Sequence, residues 1–128
     1  MENKKMKTIK EWGGWAPQWL RDAKTDFENV DILEDGTVLW RGGLWISGDW
    51  DGGIWCGGDW LRGSWQGGVW LRGRWYDGIW HDGIWHDGTW YSGSWQNGLW
   101  IDGSWIRGEW LEFKYNHLPP SILNSKTG

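Results

Sequence analysis

Residues 78–90 read GIWHDGIWHDGTW. Two copies of His-Asp-Gly, five residues apart, suggest a metal site or an acid/base pair. The surrounding chain explains them otherwise. Tryptophan recurs at every fifth position from Trp40 to Trp110, and glycine stands two residues before each of these except Trp40, where Val38 takes the place. The unit is Gly-x-Trp-x-x, and the doublet is two neighbouring copies of it. A fixed period of this kind decides the architecture before any local propensity does.

A period of five excludes the simple elements. On a straight strand side chains alternate faces, so a five-residue step sends successive Trp side chains to opposite sides. On a helix the same step spirals them around the axis, and each interior Gly costs about 1 kcal/mol relative to Ala. Something has to redirect the chain once per unit. The residues before the glycines supply it: Asp77, Asp82, Asp87, Asn97 and Asp102 form DG or NG pairs, which are strong turn signals. Each unit therefore reads as a short Gly-x-Trp strand with Gly and Trp facing inward, followed by a corner. Short sides joined by regular corners wind into an all-β solenoid with a Trp-filled interior.

On these residues the chain resembles the pentapeptide-repeat proteins, over about residues 38–115, with Trp in place of their central Leu or Phe and Gly in place of their small inward residue. The resemblance implies a right-handed quadrilateral β-helix with four units, or about 20 residues, in each coil. It also implies a role, since some members are acidic dimeric mimics of duplex DNA that engage type II topoisomerases. Gly-Trp pentads of this kind are also similar to small phage proteins, which points to a bacterial host cytoplasm or a virion. In volume terms, enlarging the central residue while deleting a methyl is an exchange that cores tolerate. Each enclosed indole N–H needs an acceptor, and the expected ones are backbone carbonyls near the corners or at the ends of the stack.

The flanking segments read as ends for the solenoid, which an open terminal coil requires. Residues 1–10 are a short basic segment with Lys4, Lys5, Lys7 and Lys10. Residues 11–37 read as an N-terminal cap: a short helix entered at Pro17, then strands on either side of a turn at Glu34-Asp35-Gly36. Trp12, Trp15 and Trp19 stand outside the array's phase and are expected to cover the first coil. Phe113 and Tyr115 continue the phase for one degenerate step, and residues 116–128 form a tail.

Composition narrows function. In 128 residues there are 18 Trp and 22 Gly, one cysteine (Cys56), and a net charge of −4. That charge argues against a broad phosphate-binding surface, so nucleic acid is not the expected partner. A lone cysteine permits no intrachain disulfide, and no apolar run suggests a membrane span. His81 and His86 fall on two different sides of a coil and His117 is far along the chain, so three zinc ligands do not converge. The serines occupy outer or corner positions with no His/acid partner. We therefore expect no catalytic, cofactor or metal site. The expected role is non-enzymatic, structural or protein-interacting, with a homodimer as one form of it. A third reading, Trp stacking on sugars or nucleobases, requires the indoles outside.

With four units per coil, side chains four units apart in the chain stack above one another. One outer apolar stripe is then Leu61, Ile79, Leu99 and Ile101, and a second is Val69, Leu71, Tyr91 and Leu111. Contiguous apolar columns on a surface point to pairing with a partner or a second copy.

Overall fold

A computed structural model describes residues 16–111, with the side chains of residues 27–29 left aside. The described chain is an all-β solenoid of five coils. Helix α1 (Gln18–Asp22) leads into β1 (Lys24–Ile32), which turns at residues 34–36 into β2 (Val38–Ser47). Thirteen two-residue strands follow at five-residue intervals, from β3 (Asp49–Trp50) to β15 (Glu109–Trp110), each ending on a Trp.

The register steps by three Gly-x-Trp-x-x units. Trp40 pairs with Trp55, Trp55 with Trp70, Trp45 with Trp60 and Trp50 with Trp65, all in parallel. Three units thus close a coil, and the solenoid has three sides rather than the expected four. Each step between coils is tied by repeated backbone bonds, for example Leu71 N–H to the Trp55 carbonyl and Val69 N–H to the Gly53 carbonyl, at 2.8 and 2.9 Å. The four-unit coil expected from the pentapeptide resemblance is corrected to a three-unit coil.

Ring size and corner geometry account for the change. Within a coil, neighbouring indoles meet edge to face, as Trp70 does with Trp75 at 5.9 Å and 71°. Between coils they stack nearly parallel, as Trp70 does with Trp55 and with Trp85 at 4.8 Å. Both are preferred arrangements of aromatic quadrupoles. Three indoles fill the lumen, and the twelve Trp from Trp40 to Trp95 have no solvent exposure.

The corners are tighter than a methyl-bearing residue permits. Gly68 has φ +114°, and a Cβ there would overlap the carbonyl oxygen of Gly53 in the preceding coil. The same conformation recurs from Gly43 to Gly108. Glycine is therefore demanded by backbone conformation and by close approach of the next coil. Volume compensation for the enlarged Trp, the reason given from sequence, is not what the position requires.

The N-terminal end is closed by the elements expected to close it. β1 runs antiparallel along β2 and covers the first strands of two sides. α1 covers the third side: Trp19 sits edge-on to Trp50, with ring centroids 5.0 Å apart, and Leu20 is fully buried. The turn forms as read, with Gly36 at φ +94° and the Gly36 N–H bonded to the Leu33 carbonyl at 2.9 Å. Trp12, Trp15, the N-terminal lysines, Phe113, Tyr115, His117 and the tail lie outside the described residues.

Candidate interaction faces

Trp fills the interior and the corner Gly holds the turn, so the residues on either side of each Trp make up the outer surface. With three sides per coil these form three faces, each two columns wide and five coils tall.

Face 1 lies outside the ladder of Trp40, Trp55, Trp70, Trp85 and Trp100. Its first column is Leu39, Ile54, Val69, Ile84 and Leu99, paired in sequence from coil to coil. Its second column is Arg41, Cys56, Leu71, His86 and Ile101. Arg41, at the first coil, is tied to Asp31 of β1 at 2.9 Å. Most of the face is branched aliphatic, and exposure is greatest at the last coil, where Leu99 and Ile101 are 50% and 47% exposed.

Face 2 joins a polar column (Leu44, Asp59, Arg74, Thr89, Ser104) to an apolar one (Ile46, Leu61, Tyr76, Tyr91, Ile106). Tyr76 and Tyr91 stack at 4.9 Å with their rings 3° from parallel, an outer copy of the indole ladder. A hydrogen bond with Tyr76, aided by the charges of Tyr76 and Asp59, raises the pKa of the Arg74 guanidinium above its ordinary value. Face 3 is polar. Asp49, Ser64, Ile79, Ser94 and Glu109 form one column, with the Ser94 hydroxyl 3.3 Å from Glu109 Oε1, and Asp51, Gln66, His81, Gln96 and Leu111 form the other.

The two stripes read from sequence are regrouped by this register. Val69 and Leu99 share a column, and Leu71 and Ile101 occupy the column beside it, all on face 1. Leu61 and Tyr91 share a column on face 2. Ile79 and Leu111 lie on face 3 among polar neighbours. Among the corners, Arg62 shares a column with Asp77. Sequence reasoning missed Leu39, Ile54 and Ile84 on face 1, and Ile46, Tyr76 and Ile106 on face 2. The signal was present: stepping by three units from Leu39 gives Leu, Ile, Val, Ile, Leu, whereas stepping by four arrives first at Asp59.

The His-Asp-Gly doublet resolves into corner chemistry. The Asp82 and Asp87 carboxylates accept the N–H groups of Gly83 and Gly88 at 2.9 and 2.8 Å, as Asp77 and Asp102 do for Gly78 and Gly103. These aspartates hold the turn. His81 and His86 sit on different faces, and among the described residues no three His, Cys, Asp or Glu side chains gather as a metal site would need.

The expectation for the indole N–H groups is overturned for most of the array. Trp60 and Trp75 donate to the corner carbonyls of Asp77 and Ser92 at 3.2 and 3.1 Å. The buried nitrogens of Trp45, Trp50, Trp55, Trp65, Trp70, Trp80, Trp85, Trp90 and Trp100 have no acceptor in hydrogen-bonding geometry. Those of Trp55, Trp65, Trp70, Trp80, Trp85 and Trp90 nevertheless lie against corner glycines. Trp65 Nε1, for example, lies 3.1 Å from where a Gly83 Cβ would stand. Stacking fixes the ring planes, and the N–H must take whatever the corner offers. No protein-family model matches the chain, and no curated protein or solved structure matches it either.

Proposed function

We propose that the chain is a non-enzymatic solenoid that acts by presenting a flat face to a protein partner. The observation that carries the reading is the segregation of its surface: aliphatic residues collect on face 1 and polar ones on face 3, although the core repeat is identical behind both. A contiguous apolar surface on a water-facing sheet marks a contact site more often than an accident. The enclosed indoles form the core, so stacking on sugars or bases would fall to the few outer aromatics.

With pentapeptide-repeat proteins the chain shares the five-residue unit, and it closes a coil with three units instead of four. The topoisomerase role would need columns of carboxylates at phosphate-like intervals. The corner columns instead interleave Arg62, Arg72 and Arg107 with Asp77, Asp87 and Asp102, so gyrase supercoiling is expected to be unchanged by the protein. The main test is retention from a bacterial lysate, with wild-type protein and an Ile54→Lys, Ile84→Lys double variant as parallel baits and partners identified by mass spectrometry. A partner retained by the first and lost from the second supports the reading, as does self-association that the double variant loses; equal retention, or neither retention nor self-association, defeats it.

A further inference from the structure

We infer that face 1 is the surface through which two copies of the chain associate, packed face to face about a two-fold axis at the middle coil. This deepens the interaction reading above by naming the partner. A sheet face of branched aliphatics packs well on another sheet face about 10 Å away, and the chain itself supplies one.

Three features of the face fit its own copy. The first is the order of side chains. The column Leu39, Ile54, Val69, Ile84, Leu99 reads the same in both directions. A two-fold axis through the middle coil reverses coil order, so it sets the outer coils against each other, leaves the narrow Val69 near the axis, and keeps the sizes matched along this column; in the second column it sets Arg41 opposite Ile101 and Cys56 opposite His86, with Leu71 at the axis. Such self-complementarity is what an isologous interface demands.

The second is charge. Arg41 and His86 are the basic residues of the face, and it carries no carboxylate. Two parallel copies would bring like charges together. Reversal places the two Arg41 side chains four coil spacings of 4.8 Å apart, about 19 Å, beyond the screening length at physiological salt. Arg41 also remains at the rim, where Asp31 already accompanies it.

The third is area. Five coils 4.8 Å apart, each presenting a side about five residues wide, make a face of about 24 by 16 Å, or about 400 Å² per copy before side-chain relief. A pair of such faces, about 800 Å² in all, falls below standard specific interfaces and in the range of weak, transient ones. The dimer is accordingly expected to exchange with monomer, with a dissociation constant in about the micromolar range or weaker.

Sedimentation equilibrium of the full chain from about 1 to 500 µM brackets that range. Val69→Lys is the central variant, and Leu99→Lys is the milder one, because Leu99 is already half exposed. Ser64→Lys and Ser94→Lys put the same charge at the same place in the unit on face 3. Far-ultraviolet circular dichroism and indole emission establish that each variant is folded. We expect wild type and both face 3 variants to show a monomer–dimer equilibrium, and the face 1 variants to associate at least about 100-fold more weakly. A wild type monomeric throughout, or a folded Val69→Lys or Leu99→Lys variant that dimerises as wild type does, overturns the inference. The interaction reading survives that result if the lysate experiment still retains a partner through face 1.

Discussion

Gly67 and Gly68 occupy one corner, and alanine at each is expected to act in opposite directions. Gly68 has φ +114°, where an L side chain is strained by about 1–3 kcal/mol. Its added methyl would also overlap the Gly53 carbonyl oxygen and lie 3.0 Å from the Gly53 nitrogen. Both are backbone atoms, so two coils must move apart, and overpacking of that kind costs about 1–3 kcal/mol more. Gly68→Ala should therefore destabilise by about 2–6 kcal/mol. Gly67 lies outside the left-handed region, and a methyl there meets nothing within 4 Å. Gly67→Ala restricts only the unfolded chain and should stabilise by about 0.4–1 kcal/mol. Urea unfolding followed by indole emission, with midpoints compared at constant slope, reads both. If the two variants differ by under about 1 kcal/mol, or if Gly67→Ala is the worse, the corner argument fails and the three-unit coil loses its physical explanation.

Trp70→Ala removes a ring stacked on Trp55 and Trp85 at 4.8 Å, and should cost about 3–5 kcal/mol in the same assay, far more than Trp70→Phe, which keeps an aromatic in the stack. Breaking the exposed Arg41–Asp31 pair with Asp31→Asn should change stability by under about 1 kcal/mol, since the two side chains are 48% and 50% exposed. The Asp35 carboxylate accepts the Thr37 backbone N–H at 2.9 Å, and that bond lowers its pKa below 3.8. A lowered folded pKa gives stability that is present above 3.8 and lost as pH falls through the folded value. The advantage of wild type over Asp35→Ala should shrink as pH drops below 3.8, as a pH series of urea midpoints would reveal.

The inward half of this molecule was legible in the sequence and the outward half was not, for one geometric reason. Trp at every fifth position places each indole inside whatever number of units closes a coil, so the buried array, the DG corners and the helix at Pro17 could all be read directly. The number of units per coil depends on how many indoles fill the lumen and how sharply Gly68 and its equivalents bend, neither of which a period of five encodes. Only the outer residues distinguish the two registers. A four-unit reading splits Val69 and Leu99 between stripes although they stand in one column, and it passes over Ile54 and Ile84 on either side of Val69. The indole N–H groups escape prediction because hydrogen-bond angles at a corner, met at Trp60 and Trp75, are set by the backbone and not by composition.

The unit that builds the inside and the unit that decorates the outside differ in length, and this constrains how such a chain can change. Insertion or loss of a single pentad leaves every indole stacked and every corner glycine in place, yet turns all later residues by one side, so that a column of aliphatics would be broken into a spiral. Adding or removing three pentads together lengthens or shortens the rod and keeps each side's character. Growth by single pentads therefore preserves a foldable chain while erasing its aliphatic face, and a lineage that keeps that face has to grow by whole turns.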